Sequence, residues 1–146
     1  MLENVEPMPG LSELLKFLRS SNYKIALATL SPKRHADIIL EKTQMKDIFA
    51  AVVTGEEITN GKPDPEMLLT ALKKLGSKPN ECIAIDDSTN GIIAAKQAGM
   101  KAIGVVNSRF KSSQDLSMSD IVVRNLGDIE KAVEKLTKRE VTCNNT

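Results

Sequence analysis

Two acids in a row, Asp86 and Asp87, end the apolar run Cys82-Ile83-Ala84-Ile85. Adjacent carboxylates repel each other and resist burial. A hard divalent cation such as Mg²⁺, which takes oxygen ligands and keeps several waters, would relieve both problems. A plainer arrangement makes one aspartate the N-cap of the next helix and leaves the other in water. Thr29 and Ser31 end a second apolar run, just before a predicted helix, where hydroxyls and free backbone N–H groups suit a phosphate. Lys33-Arg34-His35 then places positive charge in the first helical turn, which the helix dipole disfavours by about 0.3–1 kcal/mol per charge. A bound anion would repair that conflict; otherwise this is a solvated basic turn, with Thr29 merely closing a strand. Lys62 lies in Asn60-Gly61-Lys62-Pro63-Asp64-Pro65, a stiff turn able to hold a lysine over an anion or simply to display it to solvent.

These residues need a scaffold, and the hydrophobic pattern supplies one. Strands are predicted over Tyr23 to Thr29, Ala50 to Thr54, Glu81 to Asp86, Lys101 to Val106 and Asp120 to Val123. The first, third and fourth carry unbroken apolar runs, the mark of parallel strands covered on both faces. Helices fill the gaps. Leu11 to Arg19 has leucines at i, i+3, i+4 and i+7, and Pro32 to Lys42 turns Ile38, Ile39 and Ala36 inward. Pro65 to Leu75 has Asp64 as N-cap and Gly76 as stop. Ser88 to Ala98 is small-residue-rich and ends at Gly99, and Asp128 to Lys138 closes the fold. The order αβαβαβαβ-β-α is an α/β, doubly wound, Rossmann-like parallel sheet with flanking helices. In such sheets ligands bind beyond the carboxyl ends of the strands. That rule gathers Thr29, Leu30, Ser31, Lys33, Lys62, Asp86 and Asp87 on one edge, where a phosphate and a divalent cation would be held together.

Composition removes several other functions. The 146 residues suit one domain, which should bury about 68–70% of its unfolded surface. Lys plus Arg is 20 against 19 Asp plus Glu, a balance that argues against nucleic-acid binding and a polybasic membrane anchor. Aromatics are 3% with no Trp, so base-stacking platforms are not expected. No apolar run approaches the roughly 18 residues of a membrane span. The start, Met1-Leu2-Glu3-Asn4-Val5-Glu6, has no signal-peptide pattern, so a cytoplasmic location is expected. Cys82 and Cys143 read as one buried and one exposed thiol, and a single His excludes zinc sites that need two. Asn107 to Ser119 reads as a polar loop, and residues 139–146 as a frayed polar tail.

With these residues in place, the chain resembles the haloacid dehalogenase-like hydrolase superfamily, in its β-phosphoglucomutase and phosphoglycolate phosphatase branch. The stretches that carry the resemblance are KIALATLS, GKPDPEMLLTALKKLG and CIAIDDSTNGIIAAKQAGMKAIGV, within Pro7 to Asp128. The resemblance implies Mg²⁺-dependent phosphoryl transfer on a small phosphorylated metabolite, through an aspartyl-phosphate. It implies that Thr29 holds the transferring group and that Lys62 balances charge on nucleophile and phosphoryl oxygens. Leu30, Ser31 and Lys33 would help bind substrate phosphate. Asp86 and Asp87 would serve the Mg²⁺ site, Asp87 as direct ligand.

One departure outweighs these matches. The family's nucleophile comes from an Asp-x-Asp near its N-terminus, and this sequence contains no Asp-x-Asp. Its strand is central in the family's sheet, between those ending at Thr29 and Asp86. Residues 1–138 are therefore expected to be the C-terminal portion of such a core, with the central nucleophile strand missing. The chain alone is then expected to be inactive, and poorly stable or self-associating through its open strand edges. A non-catalytic anion- or partner-binding domain and one half of a split enzyme, completed by another chain, are the rival readings. A phosphorylated receiver domain fits poorly, because its acid pair would come first in the chain.

Overall fold

A computed structural model describes residues 9–107 and 114–144. The acidic start, the middle of the polar loop (108–113) and residues 145–146 lie outside the described residues. The expected order holds. The helices are α1 (Leu11–Ser20), α2 (Lys33–Lys42), α3 (Glu66–Leu75), α4 (Thr89–Gln97) and α5 (Ile129–Asn144). The strands are β1 (Ala26–Ala28), β2 (Ala51–Val53), β3 (Ile83–Asp86), β4 (Lys101–Val105) and β5 (Ile121–Val123).

Every strand pairing is parallel, but the strands form two sheets. β1 pairs with β2, in the register Ala26 to Ala51. β3, β4 and β5 form the second sheet, with Ile83 opposite Lys101 and Ile103 opposite Ile121. No ladder joins β1 to β3. A cavity of about 580 Å³ lies between them, lined by Ala26, Leu27 and Ala28 on one wall and Ile83, Ala84 and Ile85 on the other.

Helices on both faces splint this gap. On one face, α1 places Leu14 and Leu18 with Ile103, Val105 and α5, and Leu15 with Leu40, Met45 and the β1–β2 sheet. On the other, α3 sends Met67 and Ala71 to Val53, while Leu68 and Leu72 pack with Ala84 and the alanines of α4. Amphipathic periodicity explains how one helix serves two clusters: residues three and four apart share a stripe wide enough to touch both.

Three local expectations need correction. In α2, Ala36 and Leu40 are the buried residues, while Ile38 and Ile39 are only half-buried. The stripe turns about one position from the expected one because Leu40 is drawn to Leu15 and Met45. In α3 the capping position is Pro65, although the Asp64 carboxylate still accepts from the Glu66 N–H at 2.9 Å. Helix α5 runs to Asn144, into the stretch expected as a frayed tail.

Candidate phosphate- and cation-binding site

The carboxyl edge is built from three strand-to-loop junctions. At the end of β1, the Thr29 N–H donates to Val53 O at 2.9 Å, so the ladder fixes this residue to its last atom. The Thr29 hydroxyl oxygen accepts from the Ser31 N–H at 3.2 Å. With a lone pair so engaged, its O–H proton is left to point at another acceptor. Leu30 is 56% exposed and leans on the turn that carries Lys62: a Cβ at Gly61 would lie 3.0 Å from its Cδ2.

The end of β2 is tied back tightly. Thr54 is 2% exposed, and its N–H donates to Glu57 Oε2 at 2.7 Å. Glu57 in turn pairs with Lys74 of α3. The Lys74 ammonium, acting first, and the Thr54 N–H hold the Glu57 carboxyl below its ordinary range. At Gly55 an added Cβ would fall 2.4 Å from Leu30 O, so only glycine lets the β2 loop run against the β1 loop. Further on, Glu66 at the start of α3 accepts from the N–H groups of Thr59 (2.9 Å) and Asn60 (2.7 Å). Those two donors keep the Glu66 carboxyl low. They anchor the Asn60-Gly61-Lys62 turn, which is closed by the Asp64 N–H on Gly61 O and contains a cis Lys62–Pro63 peptide.

From that turn Lys62 reaches Asp86 at the end of β3, with Nζ to Oδ2 at 2.7 Å and both side chains about 15% exposed. The other Asp86 oxygen accepts from the Ser88 N–H and hydroxyl, each at 2.8 Å. Ser88, and neither aspartate, caps α4: its hydroxyl oxygen accepts from the Gly91 N–H at 3.0 Å. Asp86 fits beneath this first turn only because Gly91 has no side chain; a Cβ there would lie 2.1 Å from the Asp86 carboxyl carbon.

Asp87 has a different shell. Asn107, just beyond β4, donates from Nδ2 to Asp87 Oδ2 at 2.9 Å. Gln114 donates to the backbone oxygens of Asp87 and Val105 and accepts from the Asn107 N–H at 3.2 Å. A neutral carboxamide thus orients Asp87 while an ammonium satisfies Asp86.

The structure puts Thr29, Leu30 and Ser31 at and just past the end of β1 and Asp86 and Asp87 at the end of β3, in the other sheet, with Lys62 reaching Asp86. Lys33 stands apart from them in its pairing: its ammonium binds Asp37 one turn along α2 at 2.6 Å, and both side chains are exposed. That i,i+4 pair answers part of the charge conflict in the first turn of α2. Gly91, Glu66, Asn107 and Gln114 escaped the sequence reading. Gly91 alone carried a signal, since glycine in a helical turn costs about 1 kcal/mol against Ala and calls for a reason. Cys82 is a free, half-buried thiol, pushed up in pKa by that burial.

The donor set is all oxygen, two carboxylates with hydroxyls beside them, which suits Mg²⁺ and not a softer metal. Among the described residues no three His, Cys, Asp or Glu side chains cluster as a metal cage. Mg²⁺ commonly needs only one or two carboxylates besides water and substrate phosphate, so the pair fits it. No described helix is long and apolar enough to cross a membrane.

Comparison with known proteins agrees with this architecture. A phosphorylated carbohydrates phosphatase of Thermotoga maritima is 40% identical over 107 residues, covering 73% of this chain and 50% of that protein. The β-phosphoglucomutase of Bacillus subtilis is 40% identical over 122 residues, 84% of this chain and 51% of that protein. The crystal structure of a β-phosphoglucomutase from Clostridium difficile superposes with a TM-score of 0.80 at 31% identity, covering 92% of this chain and 58% of that one. The chain thus spans about half the length of the curated relatives it matches. Residues 1–105 match the profile of the haloacid dehalogenase-like hydrolases, and the chain belongs to that family, in its phosphatase and phosphoglucomutase branch.

Proposed function

We propose that this chain forms the phosphate- and cation-holding part of a Mg²⁺-dependent phosphatase or phosphomutase acting on a small phosphorylated metabolite. The observation that carries the reading is the Lys62–Asp86 pair set beside Asp87, on the sheet edge where Thr29 ends β1. Thr29, its oxygen already occupied by the Ser31 N–H, donates its hydroxyl proton to a phosphoryl oxygen. Lys62, held in place by Asp86, sets an ammonium against the charge that gathers on the phosphoryl group. Asp87, oriented by Asn107, and Asp86 would hold Mg²⁺, which neutralises phosphoryl oxygens when bound. Leu30 and Ser31 line the approach, and Lys33 contributes long-range positive charge.

The phosphoryl acceptor that the resemblance implies, an aspartate of an Asp-x-Asp, is not in this sequence. The chain alone is therefore expected to bind without turning over. Two measurements test this reading. Mg²⁺ with inorganic phosphate should raise the melting temperature, since a ligand at 100 times its Kd stabilises by about 2.7 kcal/mol. Asp87→Asn should lose the Mg²⁺ response and Thr29→Val the phosphate response. No response to either ligand would overturn the proposal. Mg²⁺-dependent hydrolysis of p-nitrophenyl phosphate by this chain, abolished by Asp87→Asn, would overturn its expected inactivity.

A further inference from the structure

Two strands, β2 and β5, form the outward edges of the two sheets, and they are finished differently. In β2 the Val53 C=O accepts from the Thr29 N–H, so by alternation Val52 turns its N–H and C=O outward. Lys74 of α3 lies over that edge. Its ammonium, paired with Glu57, donates to Val52 O at 2.9 Å. A lysine on an edge strand is a common guard against pairing with another chain.

The β5 edge has no such guard among the described residues. The Val106 N–H donates to Val123 O at 2.8 Å, and Ile121 stands opposite Ile103. Alternation therefore turns the Val122 N–H and C=O to the open edge. The two faces of the strand differ as well. Val123 is buried in the core that α1 and α5 share, whereas Asp120, Val122 and Arg124 lie on the other face and are exposed. Val122 is 48% exposed and Met118, just before the strand, 52%. An apolar strand with outward backbone groups is a template for a further strand.

Charge says which strand. Asp120-Ile121-Val122-Val123-Arg124 has an acid at one end, a base at the other and Val122 at the centre. Laid antiparallel on a second copy about Val122, it sets Asp120 of each copy against Arg124 of the other, on the exposed face. The two Val122 residues then exchange N–H···O bonds, and their side chains meet. A parallel alignment would set acid on acid and base on base. Among the described residues no ion pair involves Arg124. The bonds that Asp120 accepts from Lys96 and the Ala102 N–H both fall on Oδ2, which leaves Oδ1 for an arginine.

We infer that β5 is a self-association edge: two copies of this chain pair antiparallel across a two-fold axis at Val122 and join their three-stranded sheets into one. The strand is only three residues long, so the contact belongs with weak, reversible interfaces, those below about 1,200 Å².

The test is sedimentation of the full chain over about 10–500 µM, a range that spans a weak equilibrium, with amide exchange at both ends of it. A monomer–dimer equilibrium is expected, with Val122 exchange slowed about threefold or more at the high end and Ile103 unchanged. Val122→Pro removes the outward N–H and no bond to β4, so it should leave a monomer throughout with the fold intact. Arg124→Asp sets acid on acid across the axis and should also stay monomeric. Mixing it with Asp120→Arg, monomeric alone, should restore the dimer, because each end then pairs opposite charges. If Asp120→Arg does not fold, the other two variants still decide. A wild-type chain that stays monomeric would overturn the inference. So would association that survives Val122→Pro or Arg124→Asp, which places the contact elsewhere, such as the strand edges at the β1–β3 cavity. Val122 protection independent of concentration would mean that the chain covers its own edge, and overturns it too. None of these readouts involves Mg²⁺ or phosphate, so this inference and the proposed function fail separately.

Discussion

Strand β4 and strand β1 come from similar sequence, AIGVV in one and IALA in the other, yet they end in different surroundings. β4 lies between β3 and β5, and Ala102 and Ile103 have no exposed surface. β1 has β2 on one side and a cavity on the other, and none of its residues is fully buried. Apolar character alone does not bury a strand; what packs against its edges and faces does. The two halves of the molecule therefore have unequal claims to stability. The β3–β4–β5 half has its own core with α4 and α5. The β1–β2 half is held to it by α1, α3 and the Lys62–Asp86 pair that reaches from one half to the other.

The sharpest way to break this comparison is truncation on each side. Ile103→Ala, at a site with no exposed surface, should cost about 2–5 kcal/mol in denaturant unfolding. Ile85→Ala, next to Asp86 but at the open edge, should cost well under half as much. Equal costs would mean that the cavity is closed in solution.

Next comes the tie between the halves. Lys62→Met leaves Asp86 part-buried beside Ser88 with no cation, a loss of roughly 1–3 kcal/mol at neutral pH. Amide exchange in β1 and β2 should then quicken more than in β4. A uniform change across both sheets would show that the pair does not join distinct halves.

The smallest expected effect lies wholly in the three-strand half and carries a pH signature. Asp120 accepts from Lys96 at 2.8 Å and from the Ala102 N–H at 2.7 Å. Burial pushes its carboxyl up, but the Lys96 ammonium and the Ala102 N–H outweigh this and leave it below the ordinary value. A depressed carboxyl contributes stability above its unfolded pKa, about 3.9, and loses it as pH falls through the lower folded value. Asp120→Asn should therefore cost up to about 1 kcal/mol at pH 7. The difference from the unsubstituted chain should shrink in melts as pH falls through that lower folded value. A difference constant with pH would rule out the charge as its source.

Much of this was legible in the residues, for reasons that differ by element. Unbroken apolar runs announced β3 and β4 because parallel strands have no solvent face. Gly76 and Gly99 announced two helix ends, where both take positive φ. That Thr29, Asp86 and Asp87 stand at the carboxyl ends of parallel strands followed from the topology alone. What stayed illegible depends on atoms far apart in the chain. That Ser88 caps α4, freeing both aspartates, rests on how the β3 junction turns. That Asn107 and Gln114 orient Asp87 depends on the β4 loop folding back across β3. The inward face of α2 was misplaced because Leu15 and Met45, not the helix itself, choose which residues are buried.

By itself, then, the sequence determined the order of elements, the parallel sense of the strands and the residue types at their carboxyl ends, because all three follow from local periodicity and chain handedness. Only the tertiary structure decided how those residues divide their work. Asp86 is matched to an ammonium 24 positions away and Asp87 to a carboxamide 20 positions away, and no spacing along the chain encodes either partner. The tertiary structure also decided that the sheet stays divided. Strand pairing is a contest among edges for hydrogen-bond partners, and α1 and α3 bridge β1 and β3 across a gap that neither edge crosses.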